Sequence, residues 1–351
     1  RVVELVRSEE RHLQERVQKI EHTTDRVEGS CQHGLQSLSN LKQKVWVAES
    51  LKNRTLWSCP RTVGIEIETS SKLHQREGWK DGLASTLDRW SARAVGDSSV
   101  SGMEIVTAPA AGNHLINQIN EICDGIRDLD GRVDHKCGLH VHIGIKNFTW
   151  LDIRRLIWVN GGVEKALFSL CNEVRNRDDC RYTRKCGERL ISVIRGKTPT
   201  NDVAKSSILA ALYHTHSSSY SDLRPGETAE ARVARRAIFS GKKDKFVGER
   251  YSAMNLCSFV HRGTVEFRHY QGTVDRRQIL GWSKLICTIV EWANRASEKE
   301  AKEFYEKFDE TGTTATSIDC LEDIIRTKGL LRKKEQAYLI RWTRARRRAL
   351  S

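Results

Sequence analysis

From about residue 60 to residue 295 the chain switches between two hydrophobic periods. The segments "RTVGIEIET", "MEIVTA", "GLHVHIGI" and "GTVEFRHYQ" put an apolar residue at every second position, the period of a strand with one buried face. The segments "HLINQINEICDGIRDL", "TWLDIRRLIWVNGGVEKALFSLC" and "RRQILGWSKLICTIVEWANRAS" repeat apolar residues every three to four positions, the period of an amphipathic helix. None of the strand segments is the unbroken apolar run of a parallel sheet covered on both sides. The pattern therefore predicts an α+β fold, a mostly antiparallel sheet with one face backed by helices and the other wet.

The ends of the chain read differently. Residues 1–52 lack proline, and counting heptads from Val3 places mostly apolar residues at a and d, with charged and polar residues between. That supports a coiled coil or a long hairpin breaking near Gly29 and Gly34, and equally one or two amphipathic helices packed on the main domain. Residues 55–298 read as the main domain and 299–351 as a charged helical extension. The extension ends in "LRKKEQAYLIRWTRARRRALS", which carries eight Lys/Arg against one Glu.

Composition narrows the classes. The chain has 351 residues, 38% of them hydrophobic, enough for a sizeable core. No stretch approaches the roughly 18 apolar residues a membrane helix needs. The chain opens on Arg1 rather than Met, so the lack of a signal-peptide pattern excludes little. Ten cysteines at irregular spacings, none in a C-x-x-C pair, read as free thiols in a reducing, cytoplasmic setting, with Cys123, Cys257 and Cys287 acting as small hydrophobes. Cys180 and Cys186 fit no strong zinc template. The net charge of +14 invites a nucleic-acid partner, but ATP or an acidic substrate would suit it as well.

The chemistry lies on the polar face of the predicted strands. Glu66 and Glu68 share one side of "GIEIE", opposite Ile65 and Ile67. At an effective dielectric of about 20 and a separation of roughly 6–7 Å, they repel by about 2–3 kcal/mol. Glu104 in "MEIVT", His140 and His142 in "GLHVHIG", and Glu266 and Arg268 in "TVEFRHY" occupy the same kind of position. Carboxylates and imidazoles crowded together need cations between them, and a divalent metal cluster resolves the conflict. Mostly oxygen donors with one or two imidazoles suit Mg²⁺ or Mn²⁺ better than zinc. A guanidinium in the same chamber is what a phosphate needs, so metals with Arg268 suggest phosphoryl-transfer chemistry. Two motifs are discarded. "RGKT" (195–198) fails the phosphate-loop pattern because Ile191 stands where its first glycine belongs. His214 and His216 sit in a serine-rich stretch that reads as a loop.

Taken in order, "GIEIE", "GDSSVSGMEIVTAP", "CGLHVHIG", "RYSAMNL" and "GTVEFRHYQGT" resemble the amidoligase family, distant relatives of glutamine synthetase and glutamate–cysteine ligase. The likeness covers about residues 60–295. It implies a curved antiparallel sheet forming a glutamine-synthetase-like funnel. The implied activity is an ATP-dependent ligase that activates a carboxylate as an acyl phosphate for attack by an amine. On that resemblance Glu66, Glu68, Glu104, His140 and Glu266 hold Mg²⁺ (or Mn²⁺), while His142 and Arg268 meet the ATP phosphates. Asp97 and Ser99 resemble the family's Asp-Gly-Ser turn near the reacting groups, with Ser98 in place of its glycine, and Asn255 resembles an asparagine beside the site. "EIVTAP" has one residue more than the family's usual "EIVSP", which puts the positioning of substrate in question. The expected partners are a carboxylate on an amino acid, peptide or protein, an amine, and a second copy of the chain through the N-terminal helices. The alternatives are a metal-dependent nuclease or phosphoesterase using the same carboxylates, with the basic tail holding nucleic acid, and a non-catalytic assembly protein on a ligase-like fold.

Overall fold

In the computed structural model, which describes residues 60–96, 100–176, 180, 183–196, 200–213, 251–309 and 318–350, the alternating segments are strands and the 3.6-period segments are helices. The expected N-terminal coiled coil lies outside the described residues. So do His214, His216 and the basic stretch 234–250. The chain divides into two units, one ending at Cys137 and including Thr273–Leu280, the other formed by Gly138–Gly272 and the residues from Gly281 onward.

In the first unit, β1 (Val63–Thr69) leads through the short α1 (Ser85–Arg89) and β2 (Arg93–Val95) to β3 (Met103–Val106) and α2 (Gly112–Asp128). The three strands are antiparallel in the order β2-β3-β1. The hydrophobic period decides which way they face. Ile65, Ile67 and Ile105 are fully buried, as are Leu115, Ile119, Ile122, Cys123 and Ile126 of α2. Burial pushes the Cys123 thiol up to about 12, so it serves as a small apolar side chain, as its setting suggested.

The second unit begins with β4 (Gly138–Gly144) and α3 (Trp150–Ser169), followed by the short α4 (Glu173–Asn176), α5 (Gly187–Ile194) and α6 (Asn201–Tyr213). After the undescribed stretch come β5 (Met254–Asn255), α7 (Cys257–Arg262), β6 (Thr264–Gln271) and α8 (Arg276–Arg295), of which the part from Gly281 belongs to this unit. α3 starts with a capping box in which the Asp152 amide donates to Thr149 Oγ1 and the Thr149 amide donates to Asp152. The strands are antiparallel in the order β4-β6-β5. The strand ladders described within each unit are antiparallel and helices supply the rest, which makes the fold α+β. β2 and β5, at three and two residues, are too short to show a period in the sequence.

Two features depart from simple alternation. First, the polar faces are partly covered: Glu68, His140, His142, Asn255 and Glu266 are buried, while Glu66, Glu104 and Arg268 are half-buried. Second, the β4–β6 ladder shifts by one residue, with Val141 opposite Phe267 but Leu139 opposite Tyr270. Arg268 and His269 therefore both stand across from His140, as at a β-bulge. His269 and its neighbour Tyr270 consequently both pack on Trp282, with ring centroids 6.1 and 4.7 Å away.

The C-terminal segment closes on the second unit through α9 (Glu298–Asp309), α10 (Asp319–Arg326) and α11 (Lys333–Arg348). Lys284 of α8 donates to Glu335 of α11 at 2.7 Å, both side chains being buried. A Cβ at Gly281 would meet the Trp342 ring at 2.3 Å, so the two helices approach this closely only because residue 281 is glycine. The basic tail is thus partly spent inside the unit. Arg344 donates two bonds to Glu322, and Arg346 donates to the Leu170 carbonyl and lies over the Tyr270 ring. Among the described residues, no helix is long and apolar enough to cross a membrane. Seven described cysteines are free thiols. Cys287 corrects the expectation of reduced cysteines throughout, for it is disulfide-bonded.

His269 sets a pH dependence. It is fully buried beside Phe168 and Phe267. Neither of its ring nitrogens has a hydrogen-bond partner among the described residues. Burial lowers its pKa to about 3, so the folded protein holds it neutral. Its contribution to stability is complete above the unfolded value near 6.5 and declines as pH falls toward 3, by about 1.4 kcal/mol per pH unit. Urea melts from pH 7 to pH 4 should show this slope in the wild type and a flatter profile in His269→Phe. Equal slopes would contradict a neutral buried imidazole.

Candidate active site

In the first unit the site begins with three carboxylates on two strands. Glu68 of β1 stands directly opposite Glu104 of β3, and Glu66 lies two residues away on the same face of β1. Like charges placed directly opposite on neighbouring strands destabilise a sheet unless a cation offsets them. Glu68 is buried, while Glu66 and Glu104 are half-buried. An all-oxygen donor set of this kind fits a hard cation such as Mg²⁺ or Mn²⁺ and fits zinc poorly. Asp97 and Ser99 lie outside the described residues.

In the second unit the remaining predicted residues gather around one carboxylate. Glu266 is 4% exposed, deep enough that its charge requires compensation. Three donors supply it. Arg268, two residues along β6, donates from Nη1 to Oε1 at 2.5 Å. Asn255, opposite Glu266 in the β5–β6 pairing, donates from Nδ2 to Oε2 at 2.6 Å. Ser258 of α7 donates to the same oxygen at 3.3 Å. The Asn255 side-chain carbonyl meanwhile accepts from the Cys257 amide at 2.9 Å, which fixes the orientation of its amide.

The imidazoles come from β4. His142 is paired across the ladder with Glu266, and its Nε2 lies 3.9 Å from Glu266 Oε1. Its Nδ1 is 3.2 Å from Thr264 Oγ1, which fixes the ring. His140 places Nδ1 3.7 Å from the same Glu266 oxygen. These separations are too long for hydrogen bonds. The His140–Glu266 separation suits two ligands sharing one cation, since bonds of about 2.0–2.1 Å at octahedral angles separate two donor atoms by roughly 3–4 Å. The Arg268 guanidinium extends over the Tyr251 ring, 5.8 Å from its centroid, which limits where the cation can swing.

Of the predicted residues, then, His140, His142, Asn255, Glu266 and Arg268 are brought together in one unit, and Glu66, Glu68 and Glu104 in the other. Ser258 and Thr264 were missed, although Thr264 lies within "GTVEFRHYQGT" and Ser258 two residues beyond "RYSAMNL". Cys180 and Cys186 form no metal group among the described residues. Cys186 is instead buried, and its thiol donates to Glu164, whose carboxylate also accepts the Cys186 and Gly187 amides at the start of α5. Burial and then the Glu164 charge hold that thiol well above its usual range.

The environment of Glu266 makes Asn255 a test of the arrangement. Asn255→Ala removes one buried donor and should cost about 1–3 kcal/mol in urea unfolding. Asn255→Asp puts a second carboxylate within contact of Glu266 and should cost more at pH 7. Equal costs for the two variants would mean that Glu266 does not carry a charge there.

A model of the family described as "Putative amidoligase enzyme" matches residues 66–290, nearly the interval over which the motifs run. No curated protein matches the chain.

Proposed function

The chain belongs to this family, one of ligase-type enzymes, and on that premise we propose that it joins a carboxylate to an amine in an ATP- and Mg²⁺-dependent reaction. The terminal phosphoryl group of ATP passes to the carboxylate, giving an acyl phosphate and ADP. The amine then attacks the acyl carbon and inorganic phosphate leaves, so an amide forms. Activation is needed because a free carboxylate has no adequate leaving group. The proposal includes the curved, funnel-like sheet of the glutamine synthetase relatives.

The observation that carries this reading is the gathering of Arg268, His140 and His142 about Glu266 Oε1, all within 4 Å of it. In the proposed enzyme Glu66, Glu68, Glu104, His140 and Glu266 are the metal ligands. Bound Mg²⁺ would supply neutralisation of the nucleotide's phosphates. Arg268 and His142 face those phosphates, and the fixed guanidinium opposes the negative charge that grows on the phosphoryl oxygens during transfer. Asn255 and Ser258 hold the Glu266 carboxylate in place so that its geometry is set before substrate arrives. Asp97 and Ser99 are proposed beside the acyl group. A nuclease reading draws its support from the basic tail, but Arg344 and Arg346 there are engaged within the second unit, which favours the ligase.

The test is a calorimetric titration with ATP, with and without Mg²⁺, on the wild type and on Glu66→Gln/Glu68→Gln. The expected result is Mg²⁺-dependent binding in the wild type that weakens at least about tenfold in the variant, a loss of about 1.4 kcal/mol. Failure of the wild type to bind ATP with any divalent metal would overturn the ligase reading.

A further inference from the structure

We propose that the outer face of α11 is a docking surface for a nucleic-acid duplex, which it holds by the phosphate backbone through Lys334 and Arg341. The proposal goes beyond the ligase reading and asks no catalysis of this face. Burial divides the residues of α11 by side. Glu335, Leu339 and Thr343, at a spacing of four, are buried. Lys334, Ala337, Arg341, Ala345 and Arg348 are all exposed, and their spacings of three and four put them on one side of the helix. Lys334 and Arg341 stand two turns apart, about 10–11 Å along the axis.

This face carries one sign of charge. The one acid of the helix, Glu335, is buried and accepts from Lys284 and Arg332. Among the described residues, Lys333, Lys334 and Arg341 make no side-chain hydrogen bond or ion pair, so their charge is directed to solvent rather than to the fold. Arg344 and Arg346 differ, being engaged with Glu322 and the Leu170 carbonyl. The helix thus turns some of its cations inward and keeps a row outward. Ala337 and Ala345, interleaved with that row, are too small to hold an approaching polymer away from it.

The chemistry of the face selects among polyanions. A protein partner needs a desolvated apolar centre, and interface centres are depleted of charged residues. Among the described residues of α11 the one exposed large hydrophobic is Tyr338, and Lys284 Nζ lies over its ring, 5.8 Å from the centroid. A membrane surface takes an amphipathic helix by its apolar side. Here that side is turned inward, with Leu339 fully buried and the Trp342 ring against Gly281. A duplex needs neither. Each of its strands carries a phosphate about every 3.4 Å along the axis, so the interval from Lys334 to Arg341 faces about three of them. Cations placed on a rigid helix release the counterions of those phosphates, which drives binding without any apolar contact. The net charge of +14 draws a polyanion toward the chain.

The experiment measures binding of a fluorescent DNA duplex of mixed sequence to the full chain by anisotropy, over a series of salt concentrations. It is repeated on Lys334→Gln/Arg341→Gln and on Lys72→Gln/Lys80→Gln, which removes the same charge from exposed positions of the first unit. All four side chains are exposed, so both variants should melt as the wild type does. The expected result is salt-dependent binding by the wild type. In Lys334→Gln/Arg341→Gln binding at low salt should be at least about tenfold weaker, and the slope of log affinity against log salt shallower by about 2. Lys72→Gln/Lys80→Gln should keep the wild-type slope. Equal losses in the two variants would be an effect of net charge alone and would overturn the assignment. So would wild-type binding in Lys334→Gln/Arg341→Gln, or failure of the wild type to bind the duplex. Tighter binding of polyglutamate than of the duplex would replace it with an acidic protein partner. Binding of phosphatidylserine-rich vesicles in preference to the duplex would replace it with a membrane.

Discussion

An ionised carboxylate shut away from water is the constraint that organises the second unit. Glu266 has almost no solvent contact, and such a charge persists only where donors and cations replace its hydration. Arg268 comes from its own strand, Asn255 from the neighbouring strand, and Ser258 from the helix that joins those two strands. Each partner is itself constrained, Asn255 by the Cys257 amide and Arg268 by the ring of Tyr251. The Asn255–Glu266 contact lies within the pairing of the two-residue β5 with β6. Folding and site assembly are in this sense one event, because the pairing that completes the sheet also satisfies the carboxylate.

The bulge between β4 and β6 serves both faces of the sheet. On the ligand-bearing face it sets Arg268 across from His140. On the opposite face it turns His269 and Tyr270 together onto Trp282, adding aromatic surface to the core. The two imidazoles beside Glu266 and the imidazole of His269 thus have opposite surroundings on neighbouring strands. His140 and His142 face charge, whereas His269 faces hydrocarbon and stays neutral. Residue type alone does not separate these roles; the side of the sheet does.

The C-terminal helix shows how a run of positive charge can be structural. Burying Lys284 against Glu335 depresses the lysine's pKa by desolvation, an effect the Glu335 carboxylate opposes. Around Glu322 the arrangement is more exposed, and the guanidinium of Arg344, together with Arg326, holds that carboxylate below its usual range. Arg344 and Arg346 of the tail therefore help close the fold.

Much of the fold was legible because hydrophobic period is a local property. Alternation at Ile65, Ile67, Val141, Ile143, Val265 and Phe267 identified the strands and the side of each that enters the core, since a strand repeats every two residues whatever it packs on. By the same rule Glu66 with Glu68, and His140 with His142, had to share a face, and the ordered motifs were enough to name the family. Whether those faces would be wet was not local, and the expectation of a wet face held only in part, with Glu66, Glu104 and Arg268 half-buried: burial depends on what the rest of the chain lays over the strand. The Glu68–Glu104 opposition, the donors to Glu266 and the bulge at His140 were settled only by the tertiary structure. Apart from the donors to Glu266, which lie within eleven residues of it, each joins segments far apart in sequence, and no repeat along the chain encodes which of them will meet.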